Sequence, residues 1–389
     1  MKRILCAVFF VVLVSFGFAQ ELKFDGYVNS GLGLVMSNVS GVDPQVMTYG
    51  VDSERFIGRF RLNGAYTNAD KSAGANFRLQ VQGRGVAGET ANSPSLAFGY
   101  GWIKPLDFLT VKAGLVDDST WQTADFIFND DLGEGAGMLV KLSPITGLDI
   151  GAGAYAASYR SGSNNNFLAS GPLPESLNWN RIKYTLNLAY TMPDVFRVTL
   201  GGRSWNTAGG TAANGPDNSA KAFGEFRFLA VKDLTAVVVV AADNLYNDDS
   251  SRDFSKTGTI AVYETLAYKL SDLRFGLNAA QYKSNTANSD LALHFNPWVS
   301  YALFEGKIVP RLDAVYFMGG AKDGANYHRR AYAANYNADT YVITGRPSVK
   351  INIDSKTAFE AGDAVYYQKP AAGDSVLTNV FYVDLVIKF

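Results

Sequence analysis

The sequence contains 389 residues, of which 35 are Lys or Arg and 36 are Asp or Glu, so its formal net charge is −1. This balance excludes a nucleic-acid partner that binds through a strong excess of positive charge. After residue 19 the longest continuous apolar run, Ala236 to Ala242, covers seven residues, whereas a helix needs about 20 apolar residues to span a bilayer. The composition therefore also excludes a helical membrane protein.

The first predicted element is a secretory signal peptide over residues 1–19. Lys2 and Arg3 precede the apolar stretch 4–18, and Ala19 provides a small residue after which cleavage is expected. The one cysteine, Cys6, lies in this segment, so the rest of the chain has no thiol for a disulfide or a thiolate metal site. We therefore expect residues 20–389 to form a single exported domain without a cofactor or a bound metal.

Beyond this segment, stretches of about ten residues alternate between apolar and polar side chains up to the C-terminus. In one of the first, Phe60 and Leu62 share a face opposite Arg59 and Arg61, and the last stretch alternates as far as the terminal Phe389. A strand that has lipid on one side and water on the other requires this pattern. A helix does not fit, because its charged residues would lie all around its axis.

The breaks between these stretches alternate between short turns and long polar loops. The short turns are 68–70, 104–107, 143–147, 192–194, 232–233, 271–272, 305–306 and 354–355, and the long loops are 37–53, 85–94, 116–134, 160–179, 206–220, 243–256, 284–290, 319–340 and 368–377. These breaks separate eighteen strands, or sixteen if weakly patterned neighbours are merged. The sequence thus predicts an all-β fold, a transmembrane antiparallel up-and-down barrel of 16–18 strands with periplasmic turns and extracellular loops.

Aromatic residues indicate where one membrane interface lies. Five of them precede short turns on the face interpreted as apolar, and a sixth ends the chain: Tyr66, Trp102, Tyr190, Tyr268, Tyr301 and Phe389. Amphipathic rings favour the boundary between lipid and water. We therefore predict that these six residues form a ring at one membrane interface.

Basic residues dominate the face that we assign to the lumen in the first half of the barrel. They are Arg55, Arg59, Arg61, Arg78, Lys112, Arg181, Lys183, Arg197 and Arg203. The loop 116–134 has six acids and no base: Asp117, Asp118, Asp125, Asp130, Asp131 and Glu134. Unpaired charges in a low-dielectric medium are costly, so this wall needs water or counter-charges. The pattern predicts either a water-filled pore with the acidic loop across it, or arginines that only brace the wall through acidic partners.

The first and last strands carry a resemblance to a known family. The opening segment Gly26-Tyr-Val-Asn-Ser-Gly31 and the final strand ending in Phe389 resemble those of bacterial outer-membrane porins. The resemblance implies that the third loop, 116–134, folds into the lumen opposite a basic ladder at Arg55, Arg59, Arg61 and Arg78. The Pro-Glu-Phe-Gly-Gly turn that the family has in this loop is absent here. Eighteen strands are more similar to the sugar- or phosphate-selective members than to the general ones.

The resemblance also implies the function and its setting. Small hydrophilic solutes or ions would diffuse through an integral protein of outer-membrane lipid, as a homotrimer with both termini in the periplasm and an anion preference set by the basic wall. One alternative is a sugar-selective porin whose inward aromatic residues stack on sugar rings: Tyr155, Tyr159, Trp205, Tyr263, Trp298 and Phe317. Another is a surface adhesin or receptor that binds through loops 160–179 and 319–340. We do not expect an enzyme, since no catalytic constellation can be built by spacing around His294 or His328.

Overall fold

A computed structural model describes residues 21–40, 43–49, 58–83, 95–116, 135–156, 182–207, 217–243, 245, 254–285, 291–318, 341–369 and 373–389. The predicted signal peptide, residues 1–19, lies outside this range and stays a prediction. Within the described residues, no helix has both the length and the apolar character that crossing a membrane demands.

The described part of the chain consists almost entirely of strands. They are β1 (Glu21–Ser37), β2 (Gln45–Tyr49), β3 (Gly58–Thr67), β4 (Ala73–Gly83), β5 (Ser95–Leu106), β6 (Leu109–Val116), β7 (Gly135–Ile145), β8 (Leu148–Ala156), β9 (Ile182–Met192), β10 (Phe196–Thr207), β11 (Asp217–Phe228), β12 (Leu234–Asp243), β13 (Thr259–Leu270), β14 (Leu273–Ser284), β15 (Ala292–Tyr301), β16 (Ile308–Met318), β17 (Tyr341–Asn352), β18 (Thr357–Lys369) and β19 (Val376–Lys388). A single helical turn, α1 (Phe254–Thr257), precedes β13.

Two short strands share one position beside the long strand β1. The first half of β1 pairs with β3, from Glu21 opposite Thr67 to Asn29 opposite Arg59, and its second half pairs with β2. The nineteen strands of the described residues therefore occupy eighteen positions. All neighbours are antiparallel, and β19 returns to pair with β1, which closes the sheet into a barrel. The predicted fold is confirmed at the upper strand count.

The alternation of side chains gives the barrel an apolar outside. On β9, Leu186 and Leu188 point outward and are exposed, whereas Thr185 and Asn187 point inward and are buried. A closed ladder leaves no strand edge with unpaired backbone groups, which is the condition for a β-structure in lipid. Outward apolar side chains and inward polar ones are the pattern expected of a transmembrane barrel.

All eight predicted short turns connect neighbouring strands at one rim of the barrel. Several of them contain a residue with a positive φ, which tight turns between twisted strands commonly require. Examples are Asp233 at 63°, Ser271 at 54° and Gly147 at 84°. The first described residue, Glu21, and the last, Phe389, lie at this same rim, because they end strands that run from it and to it.

Candidate functional site

Three of the predicted basic residues form a cluster on the inward face of β3 and β4. Register places Arg61 opposite Gln80 and Asn63 opposite Arg78. The Nε of Arg61 donates a hydrogen bond to Gln80, and the Nε of Arg78 donates one of 2.9 Å to the Oδ1 of Asn63. Amide oxygens of neighbouring wall residues therefore fix both guanidinium groups in place.

Aromatic rings complete the support of this basic cluster. The Nη1 of Arg59 lies 3.4 Å from the hydroxyl of Tyr27, and the guanidinium carbon of Arg61 lies 5.6 Å from the centre of the same ring. The guanidinium of Arg78 lies 4.8 Å from the centre of the Phe98 ring. A neutral amide or ring orients a guanidinium without cancelling its charge. Through these contacts Arg59 and Arg78 keep their positive charge on the wall.

An inward row of rings on β5 continues this surface, and it corrects one prediction. Trp102 lies opposite Gly74 and packs with Tyr100 against the buried residues Val116 and Leu139. The Nζ of Lys112 lies 5.0 Å from the centre of the Tyr100 ring. Trp102 is therefore on the lumen side, and its prediction as a membrane-interface residue is wrong.

The correction has a physical reason that can be read in the sequence. Lys104 shares the strand face of Trp102, and its Nζ lies 5.6 Å from the centre of the Trp102 ring. A lysine is more favourable on the wet side of a barrel than on the lipid side, although near a strand end the difference is only about 0–1 kcal/mol. Phe98, Tyr100 and Trp102 alternate with small residues, so the position of Lys104 was the signal that could have assigned them inward.

Other basic residues on the wall are braced by acids. Lys141 pairs with Asp149 at 2.8 Å, and Arg227 pairs with the fully buried Glu225 at 3.5 Å. Arg311 binds Asp313 through two hydrogen bonds of 2.7 Å, and Arg346 reaches the same carboxylate at 3.3 Å. These basic residues thus brace the wall through acidic partners, and they lie outside the basic cluster on β3 and β4.

The remaining predicted basic positions are divided among several places. Arg197 lies on β10 opposite Arg227, close enough to Asp149 to interact with its charge. Lys183 and Arg203 belong to β9 and β10, but the structure does not describe their side chains. Arg55 and Arg181 lie outside the described residues, as do all six loop acids, Asp117, Asp118, Asp125, Asp130, Asp131 and Glu134. The predicted inward fold of this loop therefore stays a prediction.

A cluster of apolar and aromatic side chains covers part of the inner wall away from the basic cluster. In a barrel of eighteen positions, β12 lies nine positions from β3, which is halfway round. The inward side chains Tyr263, Tyr282 and Phe317, on β13, β14 and β16, pack with smaller neighbours in a cluster that extends from β11 past this point to β17. Nearby, the Trp298 ring lies 4.5 Å from the guanidinium carbon of Arg311. Three of the six aromatic residues predicted to point inward, Tyr263, Trp298 and Phe317, are therefore found in or beside this cluster.

The other five predicted interface aromatics lie on the outward face near the rim of the short turns. Tyr190 packs against Phe196 with ring centres 6.2 Å apart, and Tyr268 packs against Phe275 at 6.1 Å. Phe389 stacks on Phe60 at 6.2 Å, and Tyr66 and Tyr301 also point outward. Their contact with the membrane interface stays a prediction. Within the described residues, no group of His, Cys, Asp or Glu is arranged to hold a metal ion.

No protein-family profile matches this sequence, and no curated protein matches it at a significant level. Solved structures match nearly its whole length. OpdK of Pseudomonas aeruginosa is 10% identical with a TM-score of 0.58, over 95% of this chain and 99% of that one, and it has also been solved with vanillate. OprD of the same organism is 10% identical with a TM-score of 0.57, over 96% and 95% of the two chains.

A third similar structure comes from another organism. OccAB4 of Acinetobacter baumannii is 12% identical with a TM-score of 0.56, over 95% of this chain and 98% of that one. At these identities the likeness shows the fold alone. It agrees with the barrel described above, and the predicted porin-like architecture is confirmed.

Proposed function

We propose that this chain is an outer-membrane porin through which small hydrophilic solutes diffuse, with a preference for anions. The observation that carries this proposal is the position of Arg59 and Arg78 on the inward wall of a closed barrel whose outside is apolar. Fixed positive charge on a water-filled wall raises the local concentration of anions and lowers that of cations.

The setting follows from the same geometry. The apolar outside fits lipid, and the rim of short turns, which also carries both ends of the barrel sheet, would face the periplasm. The matching structures OprD, OpdK and OccAB4 support a channel rather than an enzyme. The adhesin alternative depends on loops 160–179 and 319–340, which lie entirely outside the described residues, so it stays an alternative that no described contact favours.

The solutes that fit this wall best are small anions that contain a ring. Phe98 and Tyr100 lie directly beside Arg78 and Lys112, so a carboxylate could meet the cations while an attached ring stacks on the aromatic row. The vanillate bound to OpdK belongs to this class of aromatic carboxylates. A sugar-selective porin would use the same rings, but it would not need the basic cluster.

The reversal potential of single channels under a salt gradient tests the anion preference. The refolded chain in a planar bilayer should show discrete conductance steps with a reversal potential of the sign given by anion selectivity. The double variant Arg59→Ala/Arg61→Ala should shift this potential toward zero. The control, Lys269→Ala/Arg274→Ala, removes two exposed inward charges that face each other at the rim of short turns and should shift it much less.

Each outcome separates the alternatives. Equal shifts in the two double variants would contradict the basic cluster as the selective element. A silent but folded barrel would contradict the porin itself. Block of the current by benzoate at concentrations where maltose has no effect would favour the ring-bearing anions, and the reverse order would favour the sugar-selective alternative.

A further inference from the structure

At four places in the described part of the inner wall, the ring of an aromatic residue covers a glycine that lies directly opposite it on the preceding strand. The four inward pairs are Gly74 with Trp102, Gly201 with Phe223, Gly276 with Trp298 and Gly362 with Tyr382. They belong to four different strand pairs, β4–β5, β10–β11, β14–β15 and β18–β19. Glycine weakens the interior of a strand and often marks a place where another group approaches the backbone closely. The recurrence of this arrangement around the barrel therefore points to a common purpose.

In each inward pair the ring occupies the space that a side chain on the glycine would need. An added Cβ at Gly276 would lie 2.7 Å from two ring carbons of Trp298, and one at Gly201 would lie 2.5 Å from the Cζ of Phe223. In the other two pairs a ring carbon also lies 2.5 Å from the added atom. Side chains of a strand commonly stand roughly perpendicular to the sheet, whereas these rings cover the backbone of the neighbouring strand. Each ring therefore lies along the wall instead of projecting into the lumen.

Polar neighbours hold two of these rings in place. The guanidinium carbon of Arg311 lies 4.5 Å from the centre of the Trp298 ring, and two hydrogen bonds to Asp313 fix that guanidinium group. The hydroxyl of Tyr382 donates a hydrogen bond of 3.1 Å to Glu360. A cation over a ring and a partner for its hydroxyl both fix the orientation of the ring. These contacts keep the rings against the wall.

The outward face provides a matched example of the same arrangement. Gly64 lies directly opposite Phe77, whose ring occupies the position of an added Cβ and packs against Phe24 with ring centres 6.4 Å apart. At both Gly64 and Gly201, the three atoms nearest to an added Cβ all belong to side chains, including the ring of the opposite phenylalanine. A methyl group at either glycine would therefore lift the ring and not shift a strand. The lifted ring would enter lipid at Gly64 and the lumen at Gly201.

We propose that the four inward pairs set the free width of the lumen, and with it the size limit of the solutes that pass. A ring that stands up from the wall takes space from the pore, whereas a ring that lies on a bare glycine leaves this space to water and solute. Substitutions on the lumen face of a barrel tune its selectivity. This inference rests on the proposed porin function but not on the anion preference. If the rings only stabilised the sheet, inner and outer pairs would be equivalent.

Single-channel conductance of the refolded chain in a planar bilayer tests this inference, in concentrated salt so that the charges of the wall are screened. Gly201→Ala should lower the conductance, and the largest polyethylene glycol that enters the pore and reduces the current should become smaller. The control Gly64→Ala should leave both quantities at their native values, although it should lower the free energy of unfolding in a similar way. Gly201→Ala/Phe223→Leu removes the lifted ring and should return the conductance close to that of the native channel.

The outcomes separate this inference from the porin proposal. Equal conductance of Gly201→Ala and Gly64→Ala would overturn the inference and leave the conducting porin standing, whereas a silent but folded native barrel would overturn both. If Gly201→Ala does not fold, Gly276→Ala should lower the conductance in the same way, and a native value there would be equally decisive. NMR in micelles tests the geometry without a current. The ring of Phe223 should move the Hα resonances of Gly201 upfield relative to Phe223→Leu, and identical resonances would overturn the pair itself.

Discussion

At the scale of single residues, the charge and the geometry of Arg78 can be separated by experiment. Its Nε donates a hydrogen bond to Asn63, and its guanidinium carbon lies 4.8 Å from the centre of the Phe98 ring. Arg78→Lys keeps the charge, so the reversal potential should stay close to that of the native channel. Arg78→Gln should lower the ratio of anion to cation permeability by up to about fivefold, because an exposed charge interaction is worth at most about 1 kcal/mol.

The two variants also differ in their expected effect on ring-bearing anions. Lysine lacks the planar fork that stacks on rings and binds carboxylates with two hydrogen bonds. Arg78→Lys should therefore weaken block by benzoate even though the ion selectivity is kept. Equal block in the native and lysine channels would show that the charge alone accounts for binding at this position.

Trp102 shows how far residue-scale prediction reaches. Alternation predicts that Trp102 and Ile103 face opposite sides of the wall, but it does not state which side is wet. The choice depended on neighbours: Lys104 shares the face of Trp102, and Ile103 is half-exposed on the outside. The basic residues Arg59, Arg61 and Arg78 lie on the inward face, where charge itself places them; their part in selectivity stays a prediction. Their partners, such as Asn63 and Phe98, depend on strand register, which one sequence does not supply.

At the scale of elements, two glycines in short turns form a matched pair. Gly147 and Gly306 both have a φ of 84°, but an added Cβ would lie 2.3 Å from the carbonyl oxygen of Thr191 at Gly147 and would meet nothing within 4 Å at Gly306. Gly306→Ala should lower the free energy of unfolding by about 1 kcal/mol, because alanine disfavours a positive φ. Gly147→Ala should lower the free energy of unfolding by more, since the turn must also shift away from β9. Guanidinium unfolding in detergent micelles measures both, and equal losses would contradict the steric argument.

The turn between β17 and β18 contains a carboxyl group that responds to pH. Hydrogen bonds of 2.7 Å from the backbone N–H groups of Lys356 and Thr357 lower the pKa of Asp354. Because the folded pKa lies below the unfolded value of about 3.9, this stabilisation is present above that pH and is lost as the pH falls through the folded pKa.

The loss of the stabilisation that Asp354 gives to this turn should therefore appear only under acidic conditions. Amide hydrogen exchange at Lys356 and Thr357, followed by NMR in micelles, should become faster relative to the amides of neighbouring turns as the pH falls below 4. Asp354→Asn keeps the acceptor oxygen but cannot titrate, so it should remove this dependence. A native-like acid response in Asp354→Asn would assign the effect to another group.

The number of barrel positions was predictable because the period of two is set by the two-sided environment of each strand. The division of one position between β2 and β3 was not. Residues 50–57 separate these strands, and the pairing partner of β1 changes from Arg59 at Asn29 to Tyr49 at Gly31. Such an interruption leaves the alternation on both sides intact, so periodicity detects neither its position nor its length.

At the scale of the whole molecule, the barrel is closed by the pairing of its two ends. Gly26 and Phe389 exchange two backbone hydrogen bonds of 3.1 Å, and the Phe389 ring stacks on Phe60 across β1. An added Cβ at Gly26 would lie 2.7 Å from the Phe389 ring, so this glycine leaves room for the aromatic end of the chain. Closure therefore depends on both the backbone and the ring of the last residue.

A graded series of variants tests this closure. Deletion of Phe389 leaves the N–H and C=O of Gly26 without their partners, and in a membrane each unsatisfied group costs several kcal/mol. Phe389→Ala keeps both hydrogen bonds and loses only the ring, so its refolding yield should lie between those of the deletion and the native chain.

The control Phe275→Ala removes an outward ring at the same rim but away from the closing pair, where Phe275 packs on Tyr268. Refolding yields from heat-dependent electrophoretic mobility would contradict the ring's part in closure if Phe389→Ala and Phe275→Ala were equally affected. Because the closing strands also carry Asn29 and Tyr27 beside Arg59, any folded fraction of the deletion variant should show a disturbed reversal potential, which links closure of the barrel to the selectivity of its pore.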